Sequence, residues 1–302
     1  MLRWGTTSVC PFTLGPAREV HELPNGGLVG FVRTGRWAVM ATDPIAPPGA
    51  GGQTLDHALE LIGRLRLRPL VLATADAAAY RDRGLWTMPI ADDALIDLDG
   101  FTLAGGGRAN VRHSVSAARR AGLSVVPWSP SMTSAAAQVS AAWLSTKRGG
   151  EMGFTLGRFD PDAMATLDGR VAVDGDGRIV ALTTWHRFDD GRARVLDLMR
   201  RSPTAPNPAM DLLIAECLRE FAADGVRTAS LGSVPRSHGA LAERVYPTAS
   251  LRRYKDKFAP RWEARHLVTP RRRHLPAGLL AIAQAYSPDG LRAACRPNSI
   301  VE

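Results

Sequence analysis

Cysteine is scarce. The 302 residues hold three, Cys10, Cys217 and Cys295, far apart and without metal-ligand spacing. An odd, scattered set argues against a disulfide framework and points to a reducing compartment. No apolar run approaches the roughly 18 residues of a membrane-spanning helix. The N-terminal MLRWGTTSVCPFTLG lacks a continuous apolar stretch of signal-peptide length. The expectation is a cytoplasmic, stand-alone soluble chain. Familiar catalytic signatures are missing too: no Walker A loop, no HExxH, no CxxC pair and no GxSxG elbow. Gly105 to Gly107 do not form a GxGxxG fingerprint. No metal site and no resident cofactor is expected.

Acidic residues are outnumbered, 29 Asp+Glu against 38 Lys+Arg, for a net charge of +9. The excess is local. Leu251 to Glu302 carries 11 Lys/Arg against 4 Asp/Glu, and Phe101 to Arg120 carries 4 Arg and no acid. Basic charge focused on two segments favours a polyanionic partner, nucleic acid or an anionic membrane surface. A solvated, Arg-rich surface is the plain alternative. Hydrophobic content of 45% with 22% charged residues is that of a globular protein. The length suits one large domain or two ordinary ones.

The pattern reads as α/β (α+β). LVGFVRTGRWAVM predicts a hairpin around Thr34-Gly35. Thr54 is the expected N-cap of a helix carrying Leu55, Leu59, Ile62 and Leu65 at helical spacing. PLVLAT reads as a strand, Asp76 to Arg83 as a short helix, and LWTMPIADDALIDL as one or two strands. A basic helix follows with Val111, Val115 and Ala118 on one face, then a strand LSVVPW and a helix over Ser131 to Lys147. The second half has a similar element order. It runs through a hairpin turning at Asp174 to Gly177, a strand ARVLDLMRR, a helix over Ala209 to Ala223 and a strand TASLG. A short helix is expected around Ala240 to Val245. The last helix, near Pro276 to Tyr286 after RRRH, reads as a packed terminal helix or as one lying on an anionic membrane. The likeness of the halves predicts two α/β units, residues 1–127 and 128–302.

Four ordered segments carry a resemblance: GFVRTGRWAVMATDPIAP; GGGRANVRHSVSAARRAGLSV; KRGGEMGFTLGRFD; and LMRRSPTAPNPAMDLLIAECLREFAADGVRTASLGSVP with LRRYKDKFAPRWEARHLV. Together they resemble the C-terminal catalytic domain of bacterial phosphatidylglycerol lysyltransferases and alanyltransferases, the multiple-peptide-resistance-factor type. The match runs from about Leu28 to Val268, and Lys-x-Lys-Phe-x-Pro-x-Trp-Glu is its most specific piece. Pro247-Thr248-Ala249-Ser250 stands where the family typically has Asn-Phe. The resemblance implies a tandem GNAT-like acyltransferase fold. It implies transfer of an aminoacyl group from aminoacyl-tRNA to an acceptor hydroxyl, usually that of phosphatidylglycerol. Stand-alone relatives serve other acceptors, including small molecules and sterols. A peripheral position at the inner face of the membrane is the matching expectation.

That chemistry needs cations for the tRNA end, a partner for the aminoacyl ammonium and a donor for the developing oxyanion. Arg252, Arg253, Lys255, Lys257 and Arg261 are the expected phosphate contacts, with Arg108 and Arg112 extending the track and Arg119 and Arg120 behind them. Asp197, between Leu196 and Leu198, either faces a cleft or pairs with an arginine. Arg200 and Arg201 hold the ester carbonyl or terminal phosphate, or form an ordinary salt-bridged strand end. Asp211 either answers a helix dipole or binds the ammonium. His238 is a candidate general base or an exposed loop residue, and His113 and His186 have weaker claims. Phe258 and Trp262 either stack on the terminal adenine or anchor the core. Two rivals stand beside this reading. An acyl-CoA enzyme needs a glycine-bearing pyrophosphate loop, whereas Arg200 to Pro208 has three prolines and no glycine. A non-catalytic RNA- or membrane-binding module would use the basic segments alone.

Overall fold

The computed structural model describes residues 4–15, 18–147, 151, 153–164, 166–236 and 248–286. The chain starts with β1 (Glu19–Glu22), β2 (Leu28–Thr34) and β3 (Trp37–Met40), then α1 (Gly51–Arg64), β4 (Arg68–Thr74), α2 (Ala77–Arg81) and β5 (Trp86–Asp97). Next come α3 (Ala109–Arg120), β6 (Ser124–Pro127), α4 (Thr133–Ser145), the single turn α5 (Pro161–Met164), β7 (Arg170–Val173), β8 (Ile179–Phe188) and β9 (Ala193–Arg201). It closes with α6 (Ala209–Ala223), β10 (Thr228–Pro235), α7 (Thr248–Asp256), β11 (Arg261–Thr269) and α8 (Leu275–Tyr286).

Local chemistry explains several of these elements. The β2–β3 turn places Gly35 at φ 57°, a left-handed position that glycine adopts without steric cost. In the β7–β8 turn, Asp174 accepts from the amides of Asp176 and Arg178, an Asx-type closure. Asp76 caps α2 by accepting from the Ala79 amide at 3.0 Å. Thr54, in contrast, is not an N-cap. Helix α1 begins at Gly51, and the Thr54 hydroxyl donates to the Ala50 carbonyl inside the first turn while accepting from Asn25. The pair Gly51-Gly52 starts the helix earlier than the side-chain pattern suggests.

All eleven strands form one sheet, in the order β1-β2-β3-β4-β11-β5-β10-β9-β8-β7-β6. Each half holds one parallel pair, β3 with β4 and β9 with β10, linked through α1 and α6 respectively. That repeated antiparallel-strand, helix, parallel-strand unit is the tandem GNAT-like arrangement. β11 comes from the C-terminal half yet lies between β4 and β5 of the N-terminal half. We propose the units 1–127 and 128–302 as interlocked halves rather than free-standing ones, because β11 ties them.

Helices cover both faces. α6 buries ten of its fifteen residues and packs with Val111, Val115 and Ala118 of α3 over Trp185 and Ala229. α4 covers the other face through Ala136 and Val139 against Leu182 and Leu198. In the N-terminal half, Leu55, Ala58 and Ile62 of α1 pack on Phe31 and Val71. Burial of such apolar side chains is the main stabilising contribution, about 1.5–3 kcal/mol for each fully buried aliphatic.

Candidate active site

The site arises where β9 and β10 part. They pair only over Ala193 to Val195 with Thr228 to Ser230. Beyond that point each strand carries an irregularity. On β9, Thr184 faces Leu198 and Trp185 faces Leu196, so Asp197 is the extra residue of a bulge. On β10 the register against β5 slips between Ser230 and Ser233. Bulges re-aim side chains and end pairing. The result is a cavity of about 440 Å³ with a mainly apolar wall that includes Phe12, Ile90, Leu196 and Met199. Asp197 and Lys255 are its charged lining residues.

Asp197 is held from two sides. Its Oδ2 accepts from the Thr184 hydroxyl at 2.9 Å, and its Oδ1 lies 3.4 Å from Nε2 of His186. Gly157 packs against it so closely that a Cβ there would lie 2.6 Å from Oδ1. Lys255 is buried, only 7% exposed. Its Nζ donates to the carbonyls of Gly232 at 2.8 Å and Ser233 at 3.3 Å. Burial pushes its pKa down to about 8, with the Asp93 charge opposing. Behind it, the fully buried Asp93 accepts from Arg265 at 2.8 Å, from Ser230 at 2.7 Å and from Ser8. Ser230 in turn accepts the Gly232 amide at 2.9 Å.

A second cluster closes the α6 end. Asp211, in the first turn of α6 and buried, pairs with Nζ of Lys257 at 2.5 Å. Tyr254 lies between this pair and the cavity, its ring 4.5 Å from the Lys257 Nζ. Burial and then Asp211 push the Tyr254 phenol well above its ordinary range. Asp211 thus places the chain's own carboxylate in the first turn of α6. The preceding loop spends the Ala205 and Ala209 amides on internal turns.

A family model described as phosphatidylglycerol lysyltransferase, C-terminal, matches residues 4–269. The chain belongs to that family. It is 27% identical over 295 residues to the Bacillus subtilis phosphatidylglycerol lysyltransferase, covering 90% of this chain and 34% of that protein. It is 31% identical over 221 residues to the lysylphosphatidylglycerol biosynthesis bifunctional protein LysX of Mycobacterium avium, covering 67% of this chain and 19% of LysX. The chain therefore spans a fifth to a third of the length of these relatives. Among solved structures, it is similar to the C-terminal DUF2156 domain of an Agrobacterium fabrum protein described as a lysylphosphatidylglycerol synthetase. The TM-score is 0.81 at 26% identity, with 91% of each chain covered.

Beside the Asp211–Lys257 pair, the expected site residues among those described fall into three groups. Asp197 and Lys255 meet at the cavity. Lys255 was expected on a surface phosphate track, but α7 turns it inward onto the β10 carbonyls. A second group is locked into structure. Arg200 lies over the Trp143 ring, 3.7 Å from its centroid, pairs with Glu151 at 2.8 Å and does not line the cavity. Burial, opposed by Glu151, lowers its pKa. Arg201 donates to Asn207 at 3.0 Å. Arg108 donates to the Phe258 and Thr102 carbonyls, and Arg112 to those of Leu103 and Gly105. Phe258 is fully buried, so no face of its ring is open to a base. The Trp262 ring is covered on one side by Arg252, 4.1 Å away, and its indole N–H donates to Asp256.

The third group faces solvent. Arg253 and Arg261 are exposed, Arg261 beside Glu263. Arg119 pairs with Glu216 at 2.7 Å, and Arg120 is exposed. Arg252 shares Asp92 with Arg236. Burial works to raise the Asp92 carboxyl, but the two guanidinium groups outweigh it and hold it below the usual carboxylate range. His238 and the helix expected at Ala240 to Val245 lie outside the described residues.

Sequence reading missed Asp93, Arg265, Glu151 and Gly157. The only signals were two adjacent acids in ADDAL and the glycine punctuation of KRGGEMGFTLGRFD. That third segment supplies Glu151 to Arg200, Gly157 to Asp197, and Thr155 and Leu156 to the cavity wall.

Proposed function

We propose that the chain transfers an aminoacyl group from aminoacyl-tRNA to a hydroxyl of a phosphatidylglycerol-type lipid. The observation that carries the reading is the placement of one carboxylate, Asp197, and one buried ammonium, Lys255, on the wall of a single mainly apolar cavity. Family membership supports the lipid acceptor, and the mainly apolar lining is compatible with it.

The acceptor oxygen attacks the ester carbonyl carbon, forming a new C–O bond. The bond from that carbon to the ribose oxygen breaks, and the acceptor's proton ends on the ribose hydroxyl. Lys255 stabilises the intermediate oxyanion. Of its three N–H donors, two go to Gly232 and Ser233, which leaves one for the oxyanion. Asp197 holds the ammonium of the aminoacyl group and fixes the carbonyl's position. Because the ester is already activated, positioning supplies much of the acceleration. The exposed Arg253 and Arg261 contact tRNA phosphates, with Arg252 beside them.

The acyl-CoA alternative is disfavoured at the α6 end. A pyrophosphate at this helix N-terminus would meet the Asp211 carboxylate in the first turn, and the preceding loop has three prolines and no glycine. Label carried from a radiolabelled aminoacyl-tRNA into the lipid phase tests the proposal. Label in a new aqueous product, separated from the tRNA and from free amino acid, would assign a small-molecule acceptor, and no transfer from any charged tRNA would overturn the donor.

A further inference from the structure

Helix α8 has the sequence LPAGLLAIAQAY, with no charged side chain. Its inner side is spoken for: Gly278, Ala281, Ile282 and Ala285 are buried. Gly278 sits so close to the sheet that a Cβ would lie 3.2 Å from the Leu70 side chain. Its outer side is mostly apolar as well, with Gln284 the exposed polar side chain. Leu279 and Leu280 are 44% and 53% exposed, beside exposed Pro276 and Ala277. A surface helix ordinarily turns polar residues outward.

Two neighbours say what this face meets. Immediately before the helix, Arg271, Arg272 and Arg273 are all exposed. None of them forms an ion pair among the described residues. At the other end, Tyr286 lines the cavity. Its carbonyl accepts from the Gly153 amide at 3.1 Å, and its hydroxyl bonds to Thr155. These contacts hold Leu156, which is 43% exposed and also lines the cavity. Three of the four large exposed apolar side chains in the described residues thus lie on α8 or at the cavity. Arginines suit a nucleic acid equally well, but leucines do not; the two together suit an anionic bilayer surface.

We propose that the outer face of α8, with Arg271 to Arg273 at one end and Leu156 at the other, docks on an anionic lipid bilayer and turns the cavity toward it. Leu279 and Leu280 enter the acyl boundary while the arginines meet lipid phosphates. The helix lies in the plane of the interface. The docking itself stands independently; the use of the cavity by a membrane lipid rests on the function proposed above.

The test uses the full chain with vesicles of phosphatidylglycerol and phosphatidylcholine, and with phosphatidylcholine alone, in a flotation assay. Wild type binds the anionic vesicles, less so at high salt. Leu279→Asp with Leu280→Asp lowers that binding about tenfold or more, since each change puts a charge into the acyl boundary. Arg271→Ala, Arg272→Ala and Arg273→Ala together lower it by on the order of a hundredfold and remove the preference for anionic lipid. Melting curves stay at wild type, because all five side chains are exposed. Both variants keep wild-type transfer to a short-chain, water-soluble phosphatidylglycerol while losing transfer to vesicles. Unchanged vesicle binding in both variants overturns the proposal. So does absence of wild-type binding, or an arginine variant that loses tRNA binding instead. If wild type binds vesicles but transfers to neither acceptor, the function fails and the docking surface stands.

Discussion

Nζ of Lys255 donates to the carbonyl of Gly232 at 2.8 Å, and Gly232 has a φ of +82°. That left-handed residue sits in the β10 bulge, and its amide is pinned by Ser230, which is pinned by Asp93. A buried ammonium is thereby positioned by backbone dipoles rather than by a direct carboxylate. Its charge is consequently easy to lose, and its pKa lies at about 8.

This gives a pH signature. Protonated Lys255 is the active form, so transfer falls as pH rises through about 8. Lys255→Met removes one oxyanion donor and costs about 10²–10³ in turnover. Stability moves the opposite way. Folding lowers this pKa from 10.5 to about 8, so the folded state binds fewer protons in that interval. The penalty for the buried charge is full below pH 8 and fades between 8 and 10.5. The wild type therefore gains stability relative to Lys255→Met across that window, as paired melting curves would show.

Gly157→Ala tests the seat of Asp197. The added Cβ would fall 2.6 Å from Oδ1, so the carboxylate or the loop must move. A displacement of about 1 Å at a positioning group costs on the order of 10²-fold in rate. Single-turnover transfer should drop by that order, and the melting temperature should fall as well, because the Cβ would also lie 2.8 Å from the Asp197 backbone carbonyl.

Asp93→Asn probes the network behind Lys255. Asp93 and Arg265 are 0% and 3% exposed at the side chain, and the change leaves the buried guanidinium with only the more exposed Glu263, 3.2 Å away, as its charge partner. Breaking such a pair costs about 3–5 kcal/mol. Urea unfolding should show a loss of that size, and Asp93→Asn with Arg265→Met together should recover part of it.

Much of the scaffold was legible because its signals are local. The β2–β3 turn, the Asp174 to Gly177 turn and the limits of α6 depend on residues adjacent in sequence. Thr54 misled because the helix begins three residues upstream at Gly51, with Ala50 as a cap that has no side-chain hydrogen bond to mark it. The site was half legible. Asp197 stands out as a lone charge among leucines, and Lys255 belongs to a recognisable motif. Helical periodicity alone did not show that Lys255 points inward while Arg253, two residues before it, stays exposed. That distinction depends on β10 bulging beneath α7. Asp93 was invisible for the same reason. Its partners Ser8, Ser230 and Arg265 lie 85 to 172 positions away.

The most direct test of the central claim is transfer itself. Purified wild type, Asp197→Asn and Lys255→Met are incubated with a labelled set of aminoacyl-tRNAs, phosphatidylglycerol vesicles and, separately, acetyl-CoA. The account predicts label from a charged tRNA in the lipid phase with wild type, loss with both variants, and no consumption of acetyl-CoA. Consumption of acetyl-CoA without transfer from any charged tRNA would contradict it.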